Sequence, residues 1–246
     1  MVREFNTAIV SLSFDDGYRV QYETFYQTLC DYGIKATFYI ITNKIGAKGY
    51  MSWTQLNDLF KQGNEIGSHT HTHPHLTELT TEELDRELQT SREVLRPFNC
   101  ATLAYPYGEY DSKVLLSAER YYVAARGYYD LSKKSRDCGF NLGVPEELHR
   151  LKVIPTETTF PTQIKPLLEL RRSSFETIFK EIIRNASERG VWIILTFHGQ
   201  NGTSFKLRWI RELSSKFRWT CEYLAGNSQM RILTISEAVK SLLHQS

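Results

Sequence analysis

Four of the chain's seven histidines, His69, His71, His73 and His75, alternate within the segment GSHTHTHPHL. Neutral imidazole is a common ligand for zinc and similar ions, and two histidines four apart across a strand-to-loop transition can turn toward one ion. Not all four can be ligands, and spacing alone does not choose among them. A second unusual element is Asp15-Asp16-Gly17, which follows the apolar run AIVSLSF. Adjacent carboxylates that lose water repel each other unless a cation or a proton intervenes. Taken alone, Asp-Asp-Gly is also ordinary turn chemistry. Tyr105-Pro106-Tyr107-Gly108 follows CATLA, and His198, with Gly199 after it, follows VWIILTF. Taken alone, the first reads equally as a rigid turn and the second as a structural histidine. All four elements come directly after apolar runs, and the C-terminal ends of strands are where (β/α) barrels collect their chemistry.

The elements that must position these residues show a repeated order of amphipathic helix, glycine and short apolar strand. It occurs at LCDYG-IKATFYII, LFKQG-NEIGS and ASERG-VWIILTF. Gly33, Gly63 and Gly190 fall where a helix C-terminus takes a left-handed residue. Ser52 with Gln55, Thr80 with Glu83 and Ser173 with Glu176 have capping-box spacing, which predicts helix starts. A helix over 81–96 follows from Leu84, Leu88 and Leu95 on one face, and Pro97 ends it. Further strands are predicted at 8–14, 100–106, 121–125, 150–154 and 231–235. Strands alternating with helices imply a parallel sheet with helices outside, and at this length an α/β barrel-like (β/α) fold. The polar stretch 127–149, with Gly127, Gly139, Gly143 and Pro145, predicts a loop excursion. No linker divides the chain, so residues 1–246 are read as a single domain with its core over about 7–240.

Composition narrows the function classes. Thirty basic against twenty-eight acidic side chains leave a formal charge of +2, with no basic run longer than Arg171-Arg172 or Lys133-Lys134. That balance gives no footprint for nucleic acid. Cys30, Cys100, Cys138 and Cys221 lack CxxC spacing and are expected to be buried free thiols. No apolar run approaches the ~18 residues of a membrane span. The start of the chain runs straight into a strand without an export signal, which predicts a cytoplasmic protein, although removal of a signal peptide would leave the same picture.

With SFDDG at 13–17, IKATFYI, EIGSHTHTHPHL, LAYPYG and ILTFHG in this order, the chain resembles the polysaccharide deacetylase family, the NodB-homology domain of carbohydrate esterase family four. The likeness spans roughly residues 7–240. It implies a deformed (β/α)7 barrel and a hydrolase that removes N- or O-acetyl groups from a carbohydrate. It also implies one divalent metal ion, zinc first, with cobalt, nickel, manganese or iron as alternatives. By the resemblance Asp16, His69 and His73 hold the metal, Asp15 is the general base, His198 the general acid, and the Tyr107 backbone N–H helps hold the oxyanion. His71 and His75 are then neighbours of the ligands.

Two departures from the family pattern stand out. Many members carry an arginine two residues before the proline of LAYPYG, and this chain has Ala104 there; Arg150, at the start of a predicted strand, is the candidate compensating charge. The family's Asp and Trp pair that orients the acid histidine is not located by the sequence: Asp130 and Asp137 in the loop excursion are available acids, but neither has a neighbouring tryptophan. Three other readings share parts of the pattern. One carboxylate with two histidines is also the ligand set of non-haem iron oxygenases. A same-fold enzyme acting on a non-sugar amide or cyclic imide would keep the residues, and a carbohydrate-binding module would keep the groove without turnover.

Overall fold

In the computed structural model, residues 7–127, 140–141, 147–156, 175–198 and 207–244 are described. The sheet is built around β1 (Ala8–Phe14), buried along its whole length. From β1 it runs through β2 (Thr37–Ile40), β3 (Glu65–Ser68) and β4 (Thr102–Ala104) to β5 (Ala124–Arg126), all parallel. On the other side of β1 lies β8 (Trp192–Phe197), also parallel. The sheet curls, and residues 147–155 span its two edges. Leu151 bridges to Arg126 of β5, and β7 (Ile154–Pro155) pairs with β8. Setting aside antiparallel β6 (Phe140–Asn141) and β9 (Met230–Ile232), which pairs with the start of β1, seven parallel strands form the ring. This is the deformed α/β barrel that the sequence implies.

Period-two alternation sorts each strand into an outward and an inward set. Val10, Leu12 and Phe14 of β1 join Phe38, Ile66, Leu103, Ala125, Ile193, Leu195 and Phe197 in the core beneath the helices. Phe14 lies at its centre, with the rings of Phe25, Phe38, Phe197 and Phe217 at 4.9 to 5.7 Å. Ile9, Tyr39, Ala104, Ala124, Trp192 and Ile194 form a second cluster in the interior. Its floor is α7 (Ile235–Leu243), which contributes Ile235, Ala238, Val239 and Leu242. Continued past the strand ends, the same alternation turns Asp15, His69 and His198 inward.

Helices surround the sheet where the caps direct them, with α1 (Gln27–Asp31), α5 (Phe175–Arg189) and α6 (Leu207–Ala225) completing the layer. Ser52 with Gln55 opens α2 (Trp53–Lys61), and Thr80 with Glu83 opens α3 (Thr81–Val94), both as reciprocal capping boxes. Leu84, Leu88 and Leu95 are buried as their spacing predicts, and Gly33, Gly63 and Gly190 all have positive φ. A third box, Thr234 with Glu237, opens α7 and stops the strand predicted over 231–235 at Ile232. Likewise Tyr121 ends α4 (Ser112–Tyr121), so the strand predicted at 121–125 begins three residues later. Of the four thiols, Cys100 and Cys221 are buried, but Cys30 is exposed because Thr28 and Leu29 supply the buried face of α1. Cys138, Ser173, Asp130, Asp137 and Gly199 lie outside the described residues. Among the described residues, no helix is long and apolar enough to cross a membrane.

Candidate active site at the C-terminal ends of the strands

The ends of β1, β3, β4 and β8 bring the sequence-selected residues to one rim. Asp16, His69 and His73 each offer one ligand atom, and these atoms lie within 4.8 Å of one another. Both imidazole Nε2 atoms stand 3.6 Å from the same oxygen, Asp16 Oδ1. Burial lowers the His69 pKa to about 3, so the ring is neutral near pH 7. Its Nδ1 lies 2.8 Å from the Ala104 carbonyl, which can only accept, so the ring proton sits on Nδ1 and the Nε2 lone pair faces Asp16. Burial also lowers the His73 pKa. Two neutral imidazoles and a carboxylate with lone pairs converging on one point fit a small divalent cation.

The other two histidines of the cluster face elsewhere. His71 Nδ1 is 2.8 Å from the Thr42 hydroxyl. His75 Nδ1 is 2.9 Å from Glu109 Oε2, and its ring stacks on Tyr107 at 4.0 Å between centroids. Tyr107, half exposed, also meets the His73 ring edge-on at 4.7 Å. The backbone hydrogen bonds of the YPYG turn run from the Gly108 and Glu109 N–H groups, so the Tyr107 N–H takes no part in them.

Asp15 is fully enclosed. Burial, the largest single influence, would raise its carboxyl, but the Arg126 guanidinium bonded to Oδ1, together with the nearby His69 and His198, holds the pKa below the ordinary carboxylate value. Asp15 Oδ2 accepts no hydrogen bond, and His198 Nε2 stands 3.5 Å from it. A buried carboxylate oxygen left open beside an imidazole is costly for stability alone, and it is what proton transfer requires.

Sequence reasoning misses two residues here. The cation on Asp15 is Arg126, and Arg150 is exposed on the turn before Leu151, where its N–H bonds to the Glu147 carbonyl. The signal for Arg126 was a charge at an inward position of a buried strand, Ala124-Ala125-Arg126. The second is Gln21, buried, whose amide nitrogen donates to the carbonyls of both Asp15 and His198 and so ties the ends of β1 and β8 together. Backbone strain also collects at the rim. Of the five non-glycine residues with positive φ among the described residues, Asp16, Thr70, His73 and Tyr107 surround the site. Each such conformation costs about 1 kcal/mol or more and persists where the surroundings impose it.

A profile of the family described as polysaccharide deacetylase matches residues 3–125. The chain is 32% identical over 149 residues to YxkH of Bacillus subtilis (strain 168), covering 59% of this chain and 52% of that protein. It thus spans about half the length of this relative. Over 110 residues it is 33% identical to chitin deacetylase 1 of Cryptococcus neoformans, covering 42% of this chain and 22% of that one. The solved structure of the D285S variant of the Bacillus subtilis peptidoglycan deacetylase PdaC superposes with a TM-score of 0.59 at 17% identity, covering 98% of this chain and 93% of that one. At that identity the likeness speaks for the fold alone.

Proposed function

The chain belongs to the polysaccharide deacetylase family, and from that premise we propose that it hydrolyses acetyl groups from an acetylated carbohydrate with the help of a divalent metal ion. The single observation that carries this reading is the pairing of two features on one rim: the Asp16, His69 and His73 ligand atoms, all within 4.8 Å of one another, and the open Asp15 Oδ2, 3.5 Å from His198 Nε2.

Asp16, His69 and His73 would hold the cation, zinc first by its preference for imidazole and carboxylate. When bound, it supplies Lewis acidity that polarises the acetyl carbonyl and makes water more acidic. The protein's own residues divide the rest. Asp15, kept ionised by Arg126, takes the proton of the attacking water at Oδ2. The Tyr107 N–H, free of the turn's own hydrogen bonds, donates to the oxygen that becomes negative at the tetrahedral stage. His198 at Nε2 gives a proton to the departing amine or alcohol, and Gln21 fixes the spacing of base and acid through their carbonyls. The partner is an acetylated carbohydrate; chitin fragments, peptidoglycan and xylan esters share the chemistry required.

The test is metal content after zinc loading and dialysis, with acetate release measured across acetylated sugars. About one zinc per chain, lost in Asp16→Ala together with acetate release, is the expected result. Protein that retains no zinc, or an Asp16→Ala variant as active as the parent, would sink the reading.

A further inference from the structure

The side chain that holds Asp15 comes from an unexpected strand. Ala104 of β4 and Arg126 of β5 are direct partners in the parallel register, so their side chains share the inward face. Both are fully buried. Position 104 thus carries a methyl group where an inward arginine would reach the same space, and the arginine stands one strand over.

The guanidinium also has a seat. Its Cζ lies 4.5 Å from the centroid of the buried Tyr39 ring on β2, within cation–π range. Tyr39 pairs in register with Gly67 of β3. A Cβ at 67 would stand 2.5 Å from Tyr39 Cε1 and 3.1 Å from Thr102 Oγ1, so the ring occupies space that only glycine leaves. Gly67, Tyr39, Arg126 and Asp15 therefore form one packed line through the interior, from β3 to the end of β1.

We propose that Arg126, seated on Tyr39 in the space left by Gly67, is the positioning residue for Asp15, and that it fills from β5 the post that position 104 would fill from β4. By holding Oδ1 it keeps Oδ2 turned toward His198. The role rests on the reading of Asp15 as base, while the packed line itself does not.

Four variants test it in the zinc-loaded protein: Arg126→Ala, Arg126→Lys, Ala104→Arg, and the double variant Arg126→Ala/Ala104→Arg. Arg126→Ala is expected to lower kcat about 100-fold through misplacement of the base, with KM and bound zinc little changed. Arg126→Lys restores only part, because an ammonium lacks the planar fork. The double variant regains at least about tenfold over Arg126→Ala, as expected where one orienting contact is worth that much, whereas Ala104→Arg alone loses activity because two guanidinium groups compete for one enclosed space. Gly67→Ala, checked for intact fold by circular dichroism, lowers kcat by displacing Tyr39. Wild-type kcat in Arg126→Ala, or loss of zinc in step with kcat, overturns the proposal.

A second measurement does not depend on turnover. In metal-free protein, Arg126→Met is expected to lower the Tm by about 10 °C by leaving a carboxylate buried without its cation, and adding Asp15→Asn recovers much of that loss. Additive effects on Tm would refute the packed pair. If the pair couples but no acetylated sugar is turned over, the proposed function fails and the packed line remains.

Discussion

Two carboxylates occupy opposite ends of the same barrel interior, and the protein treats them in opposite ways. At the lower end, Glu65 on β3 accepts from Thr102 through Oε1 at 2.6 Å, and from Thr37 and the Ser236 N–H through Oε2, each at 2.8 Å. Burial nonetheless raises its pKa, the hydrogen bonds recovering only part of the lost hydration. At the upper end, Asp15 has a cation on one oxygen and, among the described residues, nothing donating to the other, and its pKa is lowered. Glu65 joins β2, β3, β4 and the start of α7 with every oxygen used. Asp15 keeps one in reserve. The difference separates a carboxylate that organises the fold from the one proposed to receive a proton.

The sharpest way to break this contrast is to neutralise each acid in turn. Asp15→Asn should cut acetate release by about 10³- to 10⁴-fold with zinc retained, the scale of a lost general base. Glu65→Gln should leave acetate release within about threefold and instead lower the Tm by about 5 °C, since the one amide oxygen cannot serve the three donors that Glu65 meets with two. If Glu65→Gln removed activity at an unchanged Tm, the assignment of the two ends would be reversed.

A smaller effect, of opposite sign at the two ends, is expected in the pH dependence of unfolding of the metal-free protein. Asp15 has a lowered folded-state pKa, so its contribution is complete above the ordinary aspartate pKa of 3.8 and is lost as the pH falls below it. Glu65 has a raised pKa, so its contribution is complete below the ordinary value of 4.5 and is lost as the pH rises through the folded-state pKa. His69, lowered to about 3 from 6.5, adds a loss of stability as the pH falls across that interval. Urea unfolding of the parent and Glu65→Gln between pH 4 and 8 should therefore show the parent's advantage shrinking as pH rises. A constant gap would contradict the raised pKa.

The smallest effect concerns the wall of the site. His75→Ala removes the ring stacked on Tyr107 and the Glu109 contact. KM for a polymeric substrate should rise roughly three- to tenfold, the worth of one aromatic stack, with zinc content unchanged. An equal rise for a small aryl acetate would indicate that the stack holds the Tyr107 amide rather than the carbohydrate chain.

The outer layer of this molecule was readable from the sequence because its signals are local. Capping boxes at Ser52 and Thr80, glycines after three helices and apolar runs before each polar element located the strands and the rim. The ring of seven and the choice of Asp16, His69 and His73 came from the family resemblance, since spacing alone did not choose among the four histidines. Arg126 was hidden for a different reason. Its partner Asp15 is 111 residues away, and the contact exists only because β5 returns opposite β1 across the closed interior. Gln21, reaching 177 residues to the His198 carbonyl, is hidden in the same way. A one-residue error at the end of β5 also mattered, because a strand ending at Ala125 leaves Arg126 in a loop, whereas one more residue of alternation turns it inward.

The strained rim has a consequence for how such a protein can change over generations. At Asp16 and His73 the unfavourable backbone and the side chain proposed to hold the metal belong to the same residue, so a mutation to glycine that relaxed the chain would discard a proposed ligand. Tyr107 differs, because the group assigned to chemistry there is its amide, which every residue but proline possesses. A lineage under selection for heat resistance could therefore accept glycine or asparagine at 107 far more readily than at 16 or 73. Thermal adaptation would then erode the wall proposed to grip the carbohydrate chain before it touched the proposed reaction centre, producing descendants that are sturdier and less selective.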